Sequence, residues 1–69
     1  MIHKTAIIDK KAKISETAIV GPYSVVGPNV QIEEKTIVES HVNLSGHTKI
    51  GKNNKIYPFA SIGSNPQDL

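Results

Sequence analysis

The chain has 69 residues and a mass of 7.5 kDa, 38% of its residues are hydrophobic and 20% are charged, so it holds at most one small domain. The absence of Cys excludes disulfides, thiol nucleophiles and Cys-bound zinc, and it fits a reducing compartment, so we expect a cytoplasmic protein. The net charge is only +2 and the lysines are scattered, so nucleic-acid binding is disfavoured, and no apolar stretch is long enough for a signal peptide or a membrane span.

An aliphatic residue stands at every sixth position from the start of the chain. The series is Ile2, Ile8, Ile14, Val20, Val26, Ile32, Val38, Leu44, Ile50, Ile56 and Ile62. The position four residues after each of them is mostly Ala, Ser, Thr or Val, as in Ala18, Ser24 and Thr36. Side chains alternate along a strand, so each small residue and the aliphatic residue two places later point to the same side.

This period of six predicts short strands separated by tight turns, because an amphipathic helix repeats its apolar stripe every 3.6 residues. Three strand-turn units form one triangular coil, and successive coils stack as parallel strands. We therefore predict an all-β fold, a parallel β-helix of three to four coils over residues 1–66. Stacked side chains should then be 18 residues apart, three times the six-residue repeat.

Proline and asparagine recur at the turn positions. A type II turn favours Pro first and then a residue that tolerates positive φ. Pro28-Asn29 and Lys52-Asn53 fit this pattern, and the histidines His41 and His47 occupy the same second position. Pro22-Tyr23 and Pro58-Phe59 do not fit it, so we expect at least two types of turn.

The outward positions of the strands differ between the three faces. One face carries Lys13, Gln31 and Lys49, which is typical of a solvated surface. The other two faces carry apolar residues near the start of the chain, namely Ile7, Ile19, Val25 and Ile37. Apolar side chains that point away from a core favour a subunit interface, although ordinary β-propensity at half-exposed sites is the alternative.

The repeat breaks at the end of the chain. Asp68 stands where the next inward aliphatic residue is due, and an inward carboxylate would be costly, so residues 67–69 are predicted to begin a loop that leaves the coil. Fraying of a chain end is the alternative. A β-helix that stopped here would expose the strand edges of its last coil, so we expect this chain to be the first part of a longer coil.

Two strings near the end of the chain carry a specific resemblance. They are Gly-His-Thr-Lys-Ile-Gly at residues 46–51 and Phe-Ala-Ser-Ile-Gly at residues 59–63, the latter followed by Pro-Gln-Asp-Leu at residues 66–69. With the hexapeptide pattern they resemble the UDP-N-acetylglucosamine O-acyltransferase family, acyl-carrier-protein-dependent enzymes that begin lipid A synthesis.

The resemblance implies a left-handed β-helix, a homotrimer, and active sites between subunits. It implies transfer of a 3-hydroxyacyl chain from acyl carrier protein to the 3-hydroxyl of UDP-N-acetylglucosamine, without a cofactor. Gln67 and Asp68 match family positions that help to hold the acylated sugar. The family's general base is a His on a later coil, so this chain contains no catalytic residue and should be inactive alone.

Other functions compete with this interpretation. A metal site is disfavoured because His41 and His47 fall on adjacent corners of the triangle and His3 lies elsewhere. An ice-binding β-helix would need outward rows of Thr, which are missing, and the related N-acyltransferase usually has a domain before its repeats. A self-associating scaffold without catalysis, or another hexapeptide-repeat acyltransferase, remains the alternative.

Overall fold

The backbone forms a three-sided parallel β-helix. The structure, a computed structural model, describes residues 1–63. Its strands are β1 (Ile7–Ile8), β2 (Lys13–Ile14), β3 (Ile19–Val20), β4 (Val25–Val26), β5 (Val30–Ile32), β6 (Ile37–Val38), β7 (Asn43–Leu44), β8 (Thr48–Ile50), β9 (Lys55–Ile56) and β10 (Ser61–Ile62). No helix among the described residues is long and apolar enough to cross a membrane.

Every third strand belongs to the same sheet. Sheet 1 contains β1, β4, β7 and β10, sheet 2 contains β2, β5 and β8, and sheet 3 contains β3, β6 and β9. All pairs are parallel and join residues 18 apart, such as Ile7 with Val25 and Lys13 with Gln31. The predicted fold class is therefore confirmed, and the chain winds about three turns of a left-handed β-helix.

The interior is filled by the residues that the repeat placed inward. The fully buried apolar residues are Ala18, Val20, Val26, Val30, Ile32, Val38, Val42 and Leu44, and Ile50 is nearly so. In the first coil Ile8 and Ile14 are only half-buried, as are Ile56 and Ile62 further along. The middle coils therefore supply most of the apolar burial that holds the fold together.

Two buried hydroxyl groups tie the corners of successive coils together. The Ser24 hydroxyl donates to the Glu39 carbonyl oxygen at 2.7 Å and accepts from the Val42 amide at 3.1 Å. The Thr36 hydroxyl repeats this arrangement 12 residues later, because it donates to the Gly51 carbonyl and accepts from the Asn54 amide. Both side chains are fully buried, and neither has an unsatisfied polar atom.

The turn conformation depends on the corner more than on the residue. The first corner joins sheets 1 and 2, the second joins sheets 2 and 3, and the third joins sheets 3 and 1. At the third corner the second turn residue has positive φ from the second coil onward, in Tyr23 (58°), His41 (55°) and Phe59 (66°). At the second corner Lys35 (59°) and Asn53 (58°) do the same.

The predicted assignment of turns was therefore right at Asn53 and His41 but wrong at four other positions. Tyr23 and Phe59 have positive φ although their side chains do not favour it, whereas Asn29 and His47 at the first corner do not have it. At the first corner Gly46 takes positive φ instead. The physical reason is stacking, because each corner must match the coil beneath it to form hydrogen bonds such as the one from the His41 amide to the Pro22 carbonyl (3.0 Å).

Candidate functional site

Among residues 1–63, the exposed large apolar residues lie on one side of the β-helix. On the outward face of sheet 1, Ile7 is 66% exposed and its partner Val25 is 40% exposed. On the outward face of sheet 3, the paired residues Ile19 and Ile37 are 45% and 37% exposed. Each pair stacks across two coils, so these residues form two short apolar columns.

The third corner, which joins these two faces, is also apolar. Tyr23, Tyr57 and Phe59 are exposed there. Together with the two apolar columns they form the surface that we call the apolar side, made of Ile7, Ile19, Tyr23, Val25, Ile37, Tyr57 and Phe59. Met1 and Ile2 are exposed at the start of sheet 3, next to it. Within residues 1–63 sheet 2 exposes no large apolar residue.

Aromatic rings stack along the third corner. The His41 ring centroid lies 5.2 Å from that of Tyr23 and 5.0 Å from that of Phe59, with an interplanar angle of 23° to the Phe59 ring. Ring contacts of this kind contribute on the order of 1 kcal/mol per pair beyond the area that they bury. The 18-residue spacing predicts that Tyr23, His41 and Phe59 stack, and this is confirmed. The His41 ring is therefore part of the packing of the third corner.

The structure places the four interface candidates on the outer surface of the β-helix. Ile7, Ile19, Val25 and Ile37 all point outward as predicted. Further along the same columns the outward residues become polar, because Asn43 and Ser61 follow Val25 in sheet 1 and Lys55 follows Ile37 in sheet 3. The apolar columns therefore belong to the first two coils.

The third corner was the missed part of this surface. The 18-residue spacing predicts that Tyr23 and Phe59 stack with His41, and the position of this corner between the two outward apolar columns could also have shown that its aromatic residues share one side with them. Gln67 and Asp68, which the resemblance linked to the sugar, lie outside the described residues.

The histidines do not form a metal site in the described part of the chain. His41 is at the third corner and His47 at the first, as expected. His3 begins the third corner, where its Nδ1 accepts a hydrogen bond from the Thr5 amide at 3.1 Å. No group of three or more His, Asp or Glu side chains among residues 1–63 could hold a metal ion.

The N-terminal coil satisfies its corner amides with its own side chains. Besides the bond to His3, the Lys11 amide donates to the Asp9 carboxylate at 2.9 Å, and the Thr17 amide donates to the Ser15 hydroxyl at 3.4 Å. At the second and third corners of later coils the equivalent amides, such as those of Lys35 and His41, donate to the coil before them. Such local side-chain bonds are typical of Asx and ST turns.

Solved structures with the same fold are known. The chain is 60% identical to UDP-N-acetylglucosamine O-acyltransferase from Moraxella catarrhalis, with a TM-score of 0.94 and 99% of the chain covered. A second UDP-N-acetylglucosamine acyltransferase is 45% identical over the whole chain, with a TM-score of 0.95. The enzyme of that name from Campylobacter jejuni is 23% identical with a TM-score of 0.95, which shows the shared fold alone.

The match covers only part of those enzymes. The chain spans about a quarter of their length, 26% of the Moraxella catarrhalis chain and 27% of the other two. No protein-family model matches the chain, and no curated protein sequence does. Over its whole length the chain is thus similar in sequence and in fold to one segment of the UDP-N-acetylglucosamine O-acyltransferases, and the resemblance carried by its motifs is confirmed.

Proposed function

We propose that this chain forms the N-terminal coils of an acyltransferase that moves a 3-hydroxyacyl chain from acyl carrier protein to the 3-hydroxyl of UDP-N-acetylglucosamine, the first step of lipid A biosynthesis. The observation that carries the proposal is the 60% identity to an enzyme named UDP-N-acetylglucosamine O-acyltransferase over 99% of the chain. The absence of Cys supports a cytoplasmic site for this reaction.

The proposed chemistry needs groups that these 69 residues do not supply. The sugar hydroxyl oxygen attacks the thioester carbonyl, an imidazole on a later coil takes the hydroxyl proton, and the carbon–sulfur bond breaks to release the carrier thiol. Backbone amides stabilise the oxyanion in between. In this scheme the chain's own contribution is the rigid base of the β-helix, with Gln67 and Asp68 holding the acylated sugar.

A chimeric enzyme tests this proposal. Residues 1–69 replace the matching segment of the Moraxella catarrhalis enzyme, and acyl transfer is measured with 3-hydroxyacyl carrier protein and UDP-N-acetylglucosamine. We expect the chimera to keep activity within about tenfold of the parent enzyme, equivalent to ~1.4 kcal/mol in the barrier. A folded chimera that transfers no acyl chain would contradict the proposal.

Two variants of the chimera separate the proposed site from the scaffold. Gln67→Ala with Asp68→Ala should lower kcat/KM about 100-fold or more without changing the assembly, because it removes the proposed contacts to the sugar. Lys49→Ala with Lys52→Ala, on exposed positions of the third coil, should leave kcat/KM unchanged. The isolated 69-residue chain should show no transfer, because the general base is not part of it.

We also propose that the apolar side contacts a second copy of the chain in a homotrimer. Its support is the grouping of the exposed apolar residues on sheets 1 and 3 and the corner between them. A trimer places two faces of each triangular coil against neighbours and leaves the third, the polar sheet 2, in water.

A scaffold without catalysis is the second candidate, and the same apolar side favours it. A scaffold would assemble through that side, and its coils would support no acyl transfer when placed in the chimera. Another hexapeptide-repeat acyltransferase would instead transfer an acyl chain to an acceptor other than UDP-N-acetylglucosamine. The chimera assay with alternative acceptors distinguishes these functions.

A further inference from the structure

The polar face of the β-helix contains a groove that the proposed reaction does not use. It is open to solvent and has a volume of about 290 Å³ beside the first corner. Its walls come from three coils, because Lys11, Asn29 and His47 follow one another along the corner. Lys13 and Gln31, which are paired strand residues of sheet 2, line its other side, and Pro28 and Val30 supply apolar surface.

The charges around this groove are unbalanced. Among residues 1–63 the lysines in ion pairs are those of the later coils, with Lys49 at 3.8 Å from Glu33, Lys52 at 3.7 Å from Glu34 and Lys55 at 3.4 Å from Glu39. Lys11 and Lys13 are in no ion pair with the described residues. Two lysines that are in no ion pair with the described residues therefore line the groove.

The neighbouring carboxylate does not neutralise this charge. Glu33 lines an adjoining hollow that shares Lys13 and Gln31 with the groove. Its carboxylate pairs with Lys49 and accepts a hydrogen bond from Gln31 Nε2 at 3.2 Å. Asp9, on the other side, accepts the Lys11 backbone amide and lies outside the residues that line the groove.

We propose that this groove binds the phosphate group of a small phosphorylated molecule, with Lys11 and Lys13 as the two cationic contacts. Lysine binds phosphate as a point charge. The Asn29 side chain and the His47 imidazole provide hydrogen-bonding groups for the hydroxyls of a sugar or nucleoside, and Pro28 packs against its apolar part. The volume lies at the lower end of the range for small-molecule sites, which favours a small ligand over a protein surface.

Titration of the 69-residue chain with inorganic phosphate, followed by ¹H–¹⁵N NMR, tests the proposal. Saturable shifts should appear at the amides of Lys11, Lys13 and His47. Glucose 1-phosphate and uridine diphosphate form two further arms, and tighter binding of either one than of inorganic phosphate supports the site and shows whether a sugar or a nucleoside is attached. Shifts that grow linearly with concentration over the whole surface would overturn the proposal.

Charge-matched variants separate the groove from general attraction to a basic chain. Lys11→Ala with Lys13→Ala should weaken phosphate binding at least about tenfold. Lys4→Ala with Lys35→Ala removes the same charge from exposed positions elsewhere and should leave binding unchanged. Equal weakening in both variants, or an acidic peptide that binds the groove more tightly than every phosphate probe, would overturn it. The outcome does not depend on the acyltransferase proposal, because the chimera assay reads a different site.

Discussion

Backbone conformation at single residues follows from the coil beneath. Tyr23 and Lys35 have positive φ, and their amides donate to the hydroxyls of Thr5 and Thr17 at 3.0 Å. The two threonines occupy the same corner positions one coil earlier but do not have positive φ themselves. A β-branched side chain such as that of Thr is poorly suited to positive φ. In the first coil the threonine hydroxyl therefore accepts the hydrogen bond that a backbone carbonyl accepts in later coils.

The strain at Lys35 should be measurable. Its side chain is exposed and in no ion pair with residues 1–63, so its φ of 59° is the main property that a substitution changes. Lys35→Asn should raise the free energy of unfolding by about 0.5–1 kcal/mol because Asn tolerates this region, whereas Lys35→Val should lower it by ~1 kcal/mol or more. Urea denaturation measures both, and equal stability of the two variants would contradict the argument.

The buried hydroxyl of Thr36 gives a second prediction. Thr36→Val keeps the shape of the side chain but leaves the Gly51 carbonyl and the Asn54 amide without this partner. Because two backbone groups lose their partner, the free energy of unfolding should fall by about 2–3 kcal/mol. Thr36→Ser keeps the hydroxyl and is the control, with an expected loss of ~1 kcal/mol from the missing methyl group. Chemical denaturation decides, and a Val variant as stable as the Ser variant would show that the hydroxyl contributes little.

At the scale of the element, glycines set how closely a corner approaches the next coil. Gly21 and Gly27 both begin a corner directly after a strand. A Cβ atom on Gly21 would lie 2.8 Å from the carbonyl carbon and oxygen of Glu39, which are backbone atoms that cannot move aside. A Cβ atom on Gly27 would lie 3.4 Å from the Leu44 carbonyl oxygen, which is an ordinary contact.

This difference predicts opposite outcomes for the same change. Gly21→Ala should lower the free energy of unfolding by about 2 kcal/mol or more, because it forces the third corners of two coils apart. Gly27→Ala should be neutral or stabilise by up to ~1 kcal/mol, since Ala reduces the entropy of the unfolded chain. Thermal unfolding of the two variants measures the contrast, and a Gly21→Ala protein as stable as the Gly27→Ala protein would refute the packing argument.

At the scale of the whole molecule, the coils are linked along their sides and differ in charge. Among residues 1–63 three Lys–Glu ion pairs join side chains 16 to 18 residues apart along the chain, namely Lys49 with Glu33, Lys52 with Glu34 and Lys55 with Glu39. All involve partly exposed side chains, so each contributes at most about 1 kcal/mol. The two apolar columns of the apolar side lie in the first two coils, where Ile and Val stand in place of such pairs. The ion pairs therefore hold neighbouring coils together in the later part of the chain, whereas the apolar columns of the first two coils favour association with a second copy of the chain.

The oligomeric state tests the proposed role of the apolar side. Ile19→Lys with Ile37→Lys places two charges on the outward face of sheet 3 and should abolish the assembly, which light scattering reads as a fall in mass to one chain. Gln31→Lys with Glu34→Gln adds the same charge to the opposite side and should leave the mass of the assembly unchanged. An Ile19/Ile37 variant whose mass equals that of the control would disprove the interface.

The sequence by itself determined the fold and the orientation of each strand residue. The six-residue period is enforced by burial, because a shift of one residue would turn Val26 or Leu44 from the core to the solvent.

Only the tertiary structure decided the conformation of the turns. Asn29 favours positive φ by itself and Tyr23 does not, yet the stacked corner imposes the reverse. It also decided which surface residues meet, since the groove at Lys11 and Lys13 and the apolar side join residues from several coils. Local propensity contributes about 1 kcal/mol per residue, whereas hydrogen bonds and packing between coils act on a whole corner at once.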